Sequence, residues 1–469
     1  MAGLTPVWPF PRFPITRFPV FPSHLPMSEA VQQDWQRRSL RAVWHPCTQM
    51  ARAERVPPLP IAKGQGPWLF DHQGRRYFDA NSSWWVNLFG HADPALNEAI
   101  KHQLDTLPHV MLAGCTHEPA VRLAERLSAR TAGVLGHLFF GSDGASAVEI
   151  ALKQSFHSWR NRGRDDKREF VCLRNGYHGE TIGALAVTDV AIFRDAYDPL
   201  LMRSHIVASP DQRLGNEQAA LDETRALLGE RSSHIAAVIV EPLVQGAAGM
   251  VMHSPTYLRS LRRLCREFDV HLIADEIAVG CGRTGTFFAW EQVGAGPAPM
   301  TGDDWPDFLL LSKGITGGTM PLSLVLTTDE VYQAFWSDDV ARGFLHSHSY
   351  TGNPLACAAA NAVLDRFDAG QLASNQQQAA SLTAAFAPLA AHSQVAHLRQ
   401  RGTILAFDVT TPVARFAERF HLAARQHELL IRPIGQTVYL MPPYLIDDEV
   451  ASFLATAVQA TLQEVLHAD

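Results

Sequence analysis

The stretch Phe308-Leu-Leu-Leu-Ser-Lys-Gly-Ile-Thr-Gly-Gly-Thr319 runs from a short apolar segment into a lysine and a glycine pair, and it decides the fold. An earlier stretch, His271-Leu-Ile-Ala-Asp-Glu-Ile277, places Asp275 38 residues before Lys313. Short apolar runs bounded by glycine or charge are typical of strands buried on both faces. We therefore predict two buried strands, each followed by a functional side chain.

Similar apolar runs alternate with longer amphipathic stretches from about residue 138 to residue 328. The candidate strands are Leu138–Phe140, Glu169–Leu173, Ala236–Val240, His271–Ala274, Phe308–Leu311 and Leu322–Thr327. This alternation predicts an α/β fold with strand–helix units around a mostly parallel sheet. Ligands bind at the carboxyl ends of such strands, so we expect the site where Gly141–Gly144, Glu241, Asp275 and Lys313 converge.

A chain of 469 residues with 46% apolar content can bury a sizeable core with a smaller companion domain. We predict the N-terminal part of a small domain at 27–85, including a hairpin at 64–80, a large domain at 86–365 and a C-terminal small domain at 366–469. In residues 1–26 a proline recurs every two to five positions from Pro6. This density predicts a disordered extension, or an upstream start with Met27 opening the protein, with a docking peptide as the alternative.

Charge and composition narrow the class of partner. The net charge is −7 and no long basic run is present, which argues against nucleic acid and anionic membranes as partners. No apolar run is long enough to span a bilayer. Six cysteines without paired spacing are typical of reduced thiols in the cytoplasm, and the 21 histidines suggest no metal site. We expect small-molecule substrates.

The pair Lys313 and Asp275 is typical of pyridoxal phosphate chemistry. The lysine supplies an amine for the cofactor aldehyde, and the aspartate supplies a carboxylate for the pyridine nitrogen. A surface lysine at a strand end and a helix-capping aspartate are the alternatives. The flanking Leu309-Leu-Leu311 and Gly317-Gly318 argue against the first, because they predict a buried setting.

Two loops offer the remaining cofactor contacts. Gly141-Ser-Asp-Gly144 precedes a predicted helix that reaches about Trp159, and a helix N-terminus can bind a phosphate; a plain tight turn is the alternative. Asn175-Gly-Tyr-His-Gly-Glu180 offers Tyr177 to stack on a pyridine ring, or to pack on the core. The charged stretch 160–168 is predicted to be a solvated helix end.

Together these motifs resemble the class III aminotransferases over nearly the whole chain after Met27. The branch of that family that acts in biotin synthesis is similar in Trp44-His-Pro-Cys-Thr-Gln-Met50, Asn81-Ser-Ser-Trp-Trp85, His109-Val-Met111, Asn175-Gly-Tyr-His-Gly179, His348-Ser-Tyr-Thr-Gly-Asn-Pro354, Ile431-Arg-Pro433 and Tyr439-Leu-Met-Pro-Pro-Tyr444. The resemblance implies the fold type I transferase fold, with a seven-stranded, mostly parallel sheet and a smaller α+β domain. It also implies a cytoplasmic homodimer with shared active sites.

The activity implied is ping-pong transfer of an amino group from S-adenosylmethionine to 8-amino-7-oxononanoate through pyridoxal phosphate. Lysine as the amino donor stays open. Another class III aminotransferase, acting on an omega-amino acid, is a rival interpretation. So is a non-catalytic regulator on the same fold, although such proteins carry a DNA-binding domain, for which the short segment before the fold leaves no room.

By resemblance, Lys313 and Asp275 are the catalytic residues, with Lys313 also carrying the proton between substrate and cofactor. The implied cofactor contacts are Gly144, Ala145, Tyr177, Asp275, Lys313 and His348, with Ser349 reaching in from the second subunit. The implied substrate contacts are Cys47, Trp84, Trp85, Tyr177, Arg283, Ser347 and Arg432. Arg432 would clamp the far carboxylate through a bidentate pair that lysine could not reproduce.

Four positions depart from the usual pattern of the family. Ala145 stands in place of a phosphate-binding serine, so only its backbone N–H is left as a donor. Cys47 stands in place of a tyrosine that contacts substrate in relatives. Glu180 replaces an aspartate, and Ser347 replaces a glycine.

Overall fold

The computed structural model describes residues 29–295 and 300–467. The predicted extension at 1–26 and the start at Met27 lie outside the described residues. The described part of the chain divides into two compact units: unit 1 comprises residues 29–62 and Phe70–Arg75, and unit 2 comprises Lys63–Leu69 together with residues 76–295 and 300–467. Each unit is considered by itself.

The strands are β1 Ile61–Gln65, β2 Trp68–Asp71, β3 Arg76–Asp79, β4 His137–Gly141, β5 Glu169–Leu173, β6 Ser204–Val207, β7 Ile235–Val240, β8 Val244–Gln245, β9 Val251–Met252, β10 His271–Asp275, β11 Phe308–Leu311, β12 Ser323–Thr327, β13 Val395–Arg401, β14 Ile404–Val409, β15 Leu429–Leu430 and β16 Thr437–Leu440. The helices are α1 Glu29–Ala42, α2 Met50–Ala53, α3 Ser82–Trp85, α4 Pro94–Thr106, α5 Glu118–Arg130, α6 Gly144–Asn161, α7 Ile182–Ala186, α8 Ala191–Arg194, α9 Glu217–Arg231, α10 Pro255–Glu267, α11 Asp329–Gln333, α12 Pro354–Asp368, α13 Gln371–Phe386, α14 Phe416–Ala424 and α15 Asp448–His467. Short 3-10 helices occupy Asp195–Leu200, Ala289–Ala295, Gly302–Asp304, Lys313–Thr316, Val340–Arg342, Ala387–Ala391 and Arg425–His427. Among the described residues, no helix is both long and apolar enough to cross a lipid bilayer.

Unit 1 contains α1 and α2. The side chain of Gln36 donates to the carbonyl of Pro58 at 3.1 Å, and the rings of Trp35 and His72 stack with centroids 6.0 Å apart. Strands β1 and β2 each contain residues of both units. The structure thus has three short strands over 61–79, where the sequence predicted a single hairpin.

Unit 2 is built on a seven-stranded sheet in the order β4-β12-β11-β10-β7-β5-β6. Strands β11, β10, β7, β5 and β6 run parallel to one another, whereas β12 lies antiparallel between β4 and β11. The predicted α/β fold with a mostly parallel sheet is therefore confirmed. The six predicted strands are present with shifts of one residue at some ends, while β6 was not predicted.

Both faces of this sheet are buried, because side chains of one strand alternate between two cores. Leu309 and Leu311 of β11 belong to one hydrophobic cluster, and Phe308 and Leu310 belong to another that includes the apolar face of α6. All four residues of β11 are buried. Because β11 is fixed by packing on both faces, it also fixes the position from which Lys313 follows it.

A separate hydrophobic cluster lies in the C-terminal part of unit 2. It joins Phe78 to residues of α13, α14, α15 and the antiparallel sheet β13-β14-β16. This second core supports the predicted small domain, although the division at 86–365 and 366–469 falls inside one compact unit and stays a prediction.

The predicted solvated helix end at 160–168 is wrong for Lys167, which is 1% exposed. Its Nζ donates to the carbonyls of Ser232 at 2.9 Å and Ile235 at 3.2 Å, and also to that of Asp269. Burial lowers the pKa of Lys167 to about 8. The ammonium thus connects its own loop to the segments before β7 and β10, at the edge of the sheet opposite the predicted site. The charged composition of 160–168 gave no indication of this buried role.

A buried ion pair ties α10 to the segment before β11. The guanidinium of Arg262 donates to both carboxylate oxygens of Asp307 at 2.6 and 3.1 Å, and Asp307 also accepts from the backbone N of Leu272 at 2.7 Å. Burial alone would raise the pKa of Asp307, but the charges of Arg262 and His271, together with the hydrogen bonds from Arg262 and Leu272, outweigh it and the pKa is lowered.

We expect Arg262→Ala to lower the free energy of unfolding by about 3–5 kcal/mol, because it leaves the buried Asp307 without its counter-ion. Denaturant unfolding followed by circular dichroism measures the change. The matched control is Arg225→Ala, whose pair with Glu267 is about half exposed on each side chain and is worth below about 1 kcal/mol. Equal losses in the two variants would contradict the prediction.

Candidate active site

Adjacent parallel strands bring Asp275 and Lys313 to one edge of the sheet. Asp275, the last residue of β10, is in register with Leu310 of β11, and Lys313 follows three residues later. Ala274 is in register with Val240 of β7, so Glu241 directly follows the neighbouring strand. Strand β4 runs in the same direction as β11, with Gly141 at its end in register with Ser323 of β12, so the structure brings all four elements that were predicted to converge to one edge.

The carboxylate of Asp275 is buried and fixed on both oxygens. Its Oδ2 lies 2.7 Å from Nδ1 of His178, and its Oδ1 accepts from the backbone N of Ile277 at 3.1 Å. His178 is itself buried and donates its backbone N to Oγ1 of Thr188 at 3.0 Å. The alternative role, a helix cap, is not what the structure shows, because Asp275 ends a strand, no described helix begins there, and its carboxylate faces a histidine.

Lys313 opens a 3-10 helix with a left-handed backbone, at φ 46°. A non-glycine residue in this region is strained and persists only where its surroundings hold it. Its Nζ lies 5.0 Å from the centroid of the Trp85 ring. Loss of hydration lowers the pKa of Lys313, and the negative charges of Asp275 and Glu241 act in the opposite direction. The amine is therefore easier to deprotonate than an ordinary lysine.

The predicted phosphate loop leads into α6. Asp143 caps this helix by accepting from the backbone N of Ser146 at 2.9 Å. A Cβ on Gly179, whose φ is 126°, would lie 2.6 Å from the Cβ of Ala145, so the loop after β5 approaches the helix start closely. Oγ of Ser142 lies 3.0 Å from Nε2 of His348, which connects the segment 346–350 to the same loop.

Tyr177 lies in the loop between β5 and α7. Its hydroxyl donates to Oε1 of Glu180 at 2.9 Å, and its ring lies 5.5 Å from that of Phe193. Its backbone N donates to Oε1 of Glu241 at 3.1 Å, and Oε2 of Glu241 accepts from the backbone N of Gly246 at 2.9 Å. The ring therefore projects from a loop that a buried carboxyl group holds in place.

Two buried acids adjoin Asp275. Burial raises the pKa of Glu241 to about 7. Burial also raises the pKa of Glu276 to about 8, and the carboxyl of Glu276 accepts from the backbone N of Ala289 and of Trp290, both at 2.7 Å. Glu276 was missed in the sequence, where its only signal was its position directly after Asp275.

Trp84 and Trp85 belong to a turn whose four residues, Ser82–Trp85, all have positive φ, at 49°, 47°, 72° and 74°. Trp84 is 52% exposed and Trp85 is 6% exposed. Nε1 of Trp85 donates to the hydroxyl of Tyr439 at 3.0 Å. The guanidinium carbon of Arg432, whose side chain is exposed, lies 5.9 Å from the Trp84 ring centroid. The structure thus brings together the predicted apolar wall and the predicted carboxylate clamp.

The structure places Arg283 away from any surface, at 1% exposure. Its guanidinium donates to the carbonyls of Pro442 and of Asn87, the latter at 3.0 Å, and lies 5.0 Å from the ring of Tyr444. Burial lowers its pKa. Backbone carbonyls therefore occupy the group for which a substrate contact was predicted, and these contacts give that prediction no support.

The remaining predicted residues are exposed. Ser347 and Ser349 are exposed in the segment after Phe344. Cys47 is exposed in unit 1 and has φ 47°. Its predicted substrate contact stays a prediction, as does the contribution of Ser349 to a second subunit.

Comparisons with known proteins identify the family of the chain. Residues 49–462 match the family model of the class III aminotransferases. A relative from Helicobacter pylori, named adenosylmethionine-8-amino-7-oxononanoate aminotransferase, is 41% identical over 432 residues, which cover 89% of this chain and 95% of the relative. A relative of the same name from Geobacter sulfurreducens is 35% identical over 92% of this chain and 97% of its own length.

Solved structures are similar over the same length. The crystal structure of adenosylmethionine-8-amino-7-oxononanoate aminotransferase from Methanocaldococcus jannaschii has a TM-score of 0.86 at 32% identity and covers 92% of this chain and 99% of its own. An amine transaminase from an uncultivated Pseudomonas species, in the PLP-bound form, has a TM-score of 0.82 at 31% identity and covers 90% and 99%. The chain therefore belongs to the class III aminotransferases.

Proposed function

We propose that this aminotransferase uses pyridoxal phosphate to transfer an amino group from S-adenosylmethionine to 8-amino-7-oxononanoate. One observation carries the proposal. Trp84 and Trp85 are adjacent in one turn; the amine of Lys313 lies beside the ring of Trp85, and the guanidinium of Arg432 lies beside the ring of Trp84. This arrangement provides an amine, an apolar wall and a separate cation for a long carboxylate. The names of the relatives from H. pylori and M. jannaschii support the same choice.

The residues present fit the cofactor. A Cβ on Gly144 would meet Ile277 at 3.0 Å and one on Gly179 would meet Ala145 at 2.6 Å, so glycine is what lets these two loops pack together at the start of α6. The backbone N–H groups of a helix N-terminus can bind a phosphate. Ala145 adds no hydroxyl to this cradle. Asp275 would hold the pyridine nitrogen, Tyr177 would cover the ring and Lys313 would bond the aldehyde.

When bound, pyridoxal phosphate supplies an aldehyde that accepts the amino group and a ring that delocalises negative charge. The chain contributes the proton transfers and the orientation. Lys313 Nζ, with its lowered pKa, can take a proton as a neutral amine and return it as an ammonium. His178 keeps the Asp275 carboxylate in one orientation at 2.7 Å.

The substrate wall combines an apolar surface with one exposed cation. Trp84 and Trp85 would line the methylene chain, and Arg432 would bind the terminal carboxylate by two parallel hydrogen bonds. Arg283 is left out of this assignment because its donors already reach backbone carbonyls. Cys47 keeps its proposed place in substrate recognition, as does Ser347.

We also propose a homodimer with shared sites in the cytoplasm. The exposed Ser349 is flanked by Leu345 at 80% and Tyr350 at 64% exposure, and apolar side chains this accessible suit a subunit interface. The six cysteines are free thiols, which supports a reducing compartment.

Replacement of Lys313 by alanine tests the assignment of the lysine. We expect no covalently attached cofactor after borohydride reduction, measured by mass spectrometry, and at least a hundredfold loss of activity, on the order expected for removal of a general acid–base group. The exposed Lys101→Ala is the control and should label as the wild type does. A labelled Lys313→Ala protein would refute the assignment of the lysine.

The second prediction concerns Arg432→Ala. Loss of a bidentate charged pair should raise KM for 8-amino-7-oxononanoate by about tenfold to a hundredfold. The half-reaction with the amino donor should be affected far less. It is measured by offering each donor singly and monitoring conversion to the pyridoxamine form by absorbance. Arg415→Ala, an exposed arginine paired with Glu418, is the control. Equal losses for donor and acceptor would count against a carboxylate clamp.

The third prediction tests the shared site by mixing two defective subunits. Lys313→Ala and Ser349→Asp should each be inactive, the latter because its charge would repel the cofactor phosphate. If Ser349 serves the partner's site, a mixed dimer contains one intact site, and co-expression restores activity. If Ser349 serves its own site, every site carries a lesion and activity stays absent, which would overturn the shared site.

A further inference from the structure

Asn81 lies where strand pairing around β3 ends. Phe78 and Asp79 of β3 are in register with Leu429 and Leu430 of β15. The backbone N of Ala80 then donates to the carbonyl of Leu430 at 3.1 Å, and the carbonyl of Ala80 accepts from Met441 at 2.9 Å. Two C-terminal segments therefore flank the chain up to Asn81.

The side chain of Asn81 continues the backbone hydrogen bonding to both C-terminal segments by one further residue. Its Nδ2 donates to the carbonyl of Tyr439 at 3.1 Å, and its Oδ1 accepts from the backbone N of Arg432 at 2.7 Å. The residue is 8% exposed. A side-chain amide offers the same donor and acceptor as a peptide group, so it can bridge two backbone segments where the chain itself turns away.

The backbone of Asn81 starts the turn that carries the tryptophans. Its carbonyl accepts from the backbone N of Trp85 at 2.8 Å. Ser83 is held from the other side by Asp79, whose oxygens accept from its backbone N at 2.9 Å and its hydroxyl at 2.6 Å. One residue thus contacts both the turn with Trp84 and the backbone of Arg432.

We propose that Asn81 is a positioning residue that sets the distance between Lys313 and the carboxylate clamp. Trp85 lies beside Lys313 Nζ at one end of the turn, and Asn81 holds the backbone of Arg432 at the other. This spacing selects the chain length of the carboxylate substrate. The inference rests on the proposed function, since it assigns the cation of Arg432 to that carboxylate.

The test uses the cofactor-loaded enzyme, 8-amino-7-oxononanoate, and its homologues with one methylene fewer and one more. One methylene in a fitted pocket is worth about tenfold or more in kcat/KM. Asn81→Ala should raise KM for the nine-carbon acid by about tenfold, from loss of two hydrogen bonds. It should also reduce discrimination among the three acids, while the half-reaction with the donor is unchanged.

A double-mutant cycle separates positioning from general destabilisation. If Asn81 acts through Arg432, Asn81→Ala in an Arg432→Ala background should add little further loss. The control is Asn361→Ala, a 5% exposed asparagine whose Nδ2 bridges the carbonyls of Pro119 at 2.9 Å and Cys357 at 3.0 Å. Its destabilisation should be similar, with KM for the keto acid unchanged.

Asn81→Gln provides the same cycle if the alanine variant fails to fold. It keeps a donor and an acceptor but displaces them by one methylene, so its KM should lie between those of the wild type and the alanine variant. Additive losses in the cycle, or equal losses in both half-reactions, overturn the inference. A wild-type enzyme that does not aminate 8-amino-7-oxononanoate contradicts the proposed function instead, and the cycle is then measured with whichever carboxylate loses affinity in Arg432→Ala.

Discussion

The structure of the site depends on the parallel register of β10 and β11, which pairs Asp275 with Leu310. Because the side chains of β11 alternate between two packed cores, a slip by one residue would place each of them in the opposite core. The register therefore fixes where Lys313 leaves the sheet relative to the carboxylate. Its left-handed backbone then directs the chain into a short 3-10 helix instead of a further strand residue.

Burial is the main cause of the pKa shifts around Asp275 and Lys313. Glu241 and Glu276 have pKa values of about 7 and about 8 because they are buried, so both are substantially protonated near neutral pH. Asp275 lies at the same edge of the sheet and faces His178. For Lys313 too, loss of hydration is the largest effect and lowers the pKa, against the opposing charges of Asp275 and Glu241.

The sequence was sufficient for the sheet and for the position of Asp275 and Lys313 at its edge, since buried strands have clear apolar runs and these residues follow them. It was insufficient where long-range contacts override local preference. Nothing in Asn81–Trp85 predicts four left-handed residues, which are held by segments about 350 positions later in the chain. The sequence predicted that Lys167 faces solvent and that Arg283 contacts substrate. In the structure both side chains donate to backbone carbonyls of distant segments.

The left-handed turn also affects the order of assembly. Left-handed residues cost about 1–2 kcal/mol each, so Ser82–Trp85 cannot hold this form alone. Ser82 Oγ donates to the carbonyl of Met441 at 2.7 Å, and Trp85 bonds to Tyr439. We therefore expect Ser82–Trp85 to take this form only after residues 439–441 have been synthesised. The seven-stranded sheet, whose last strand in sequence is β12, can be complete before this turn is.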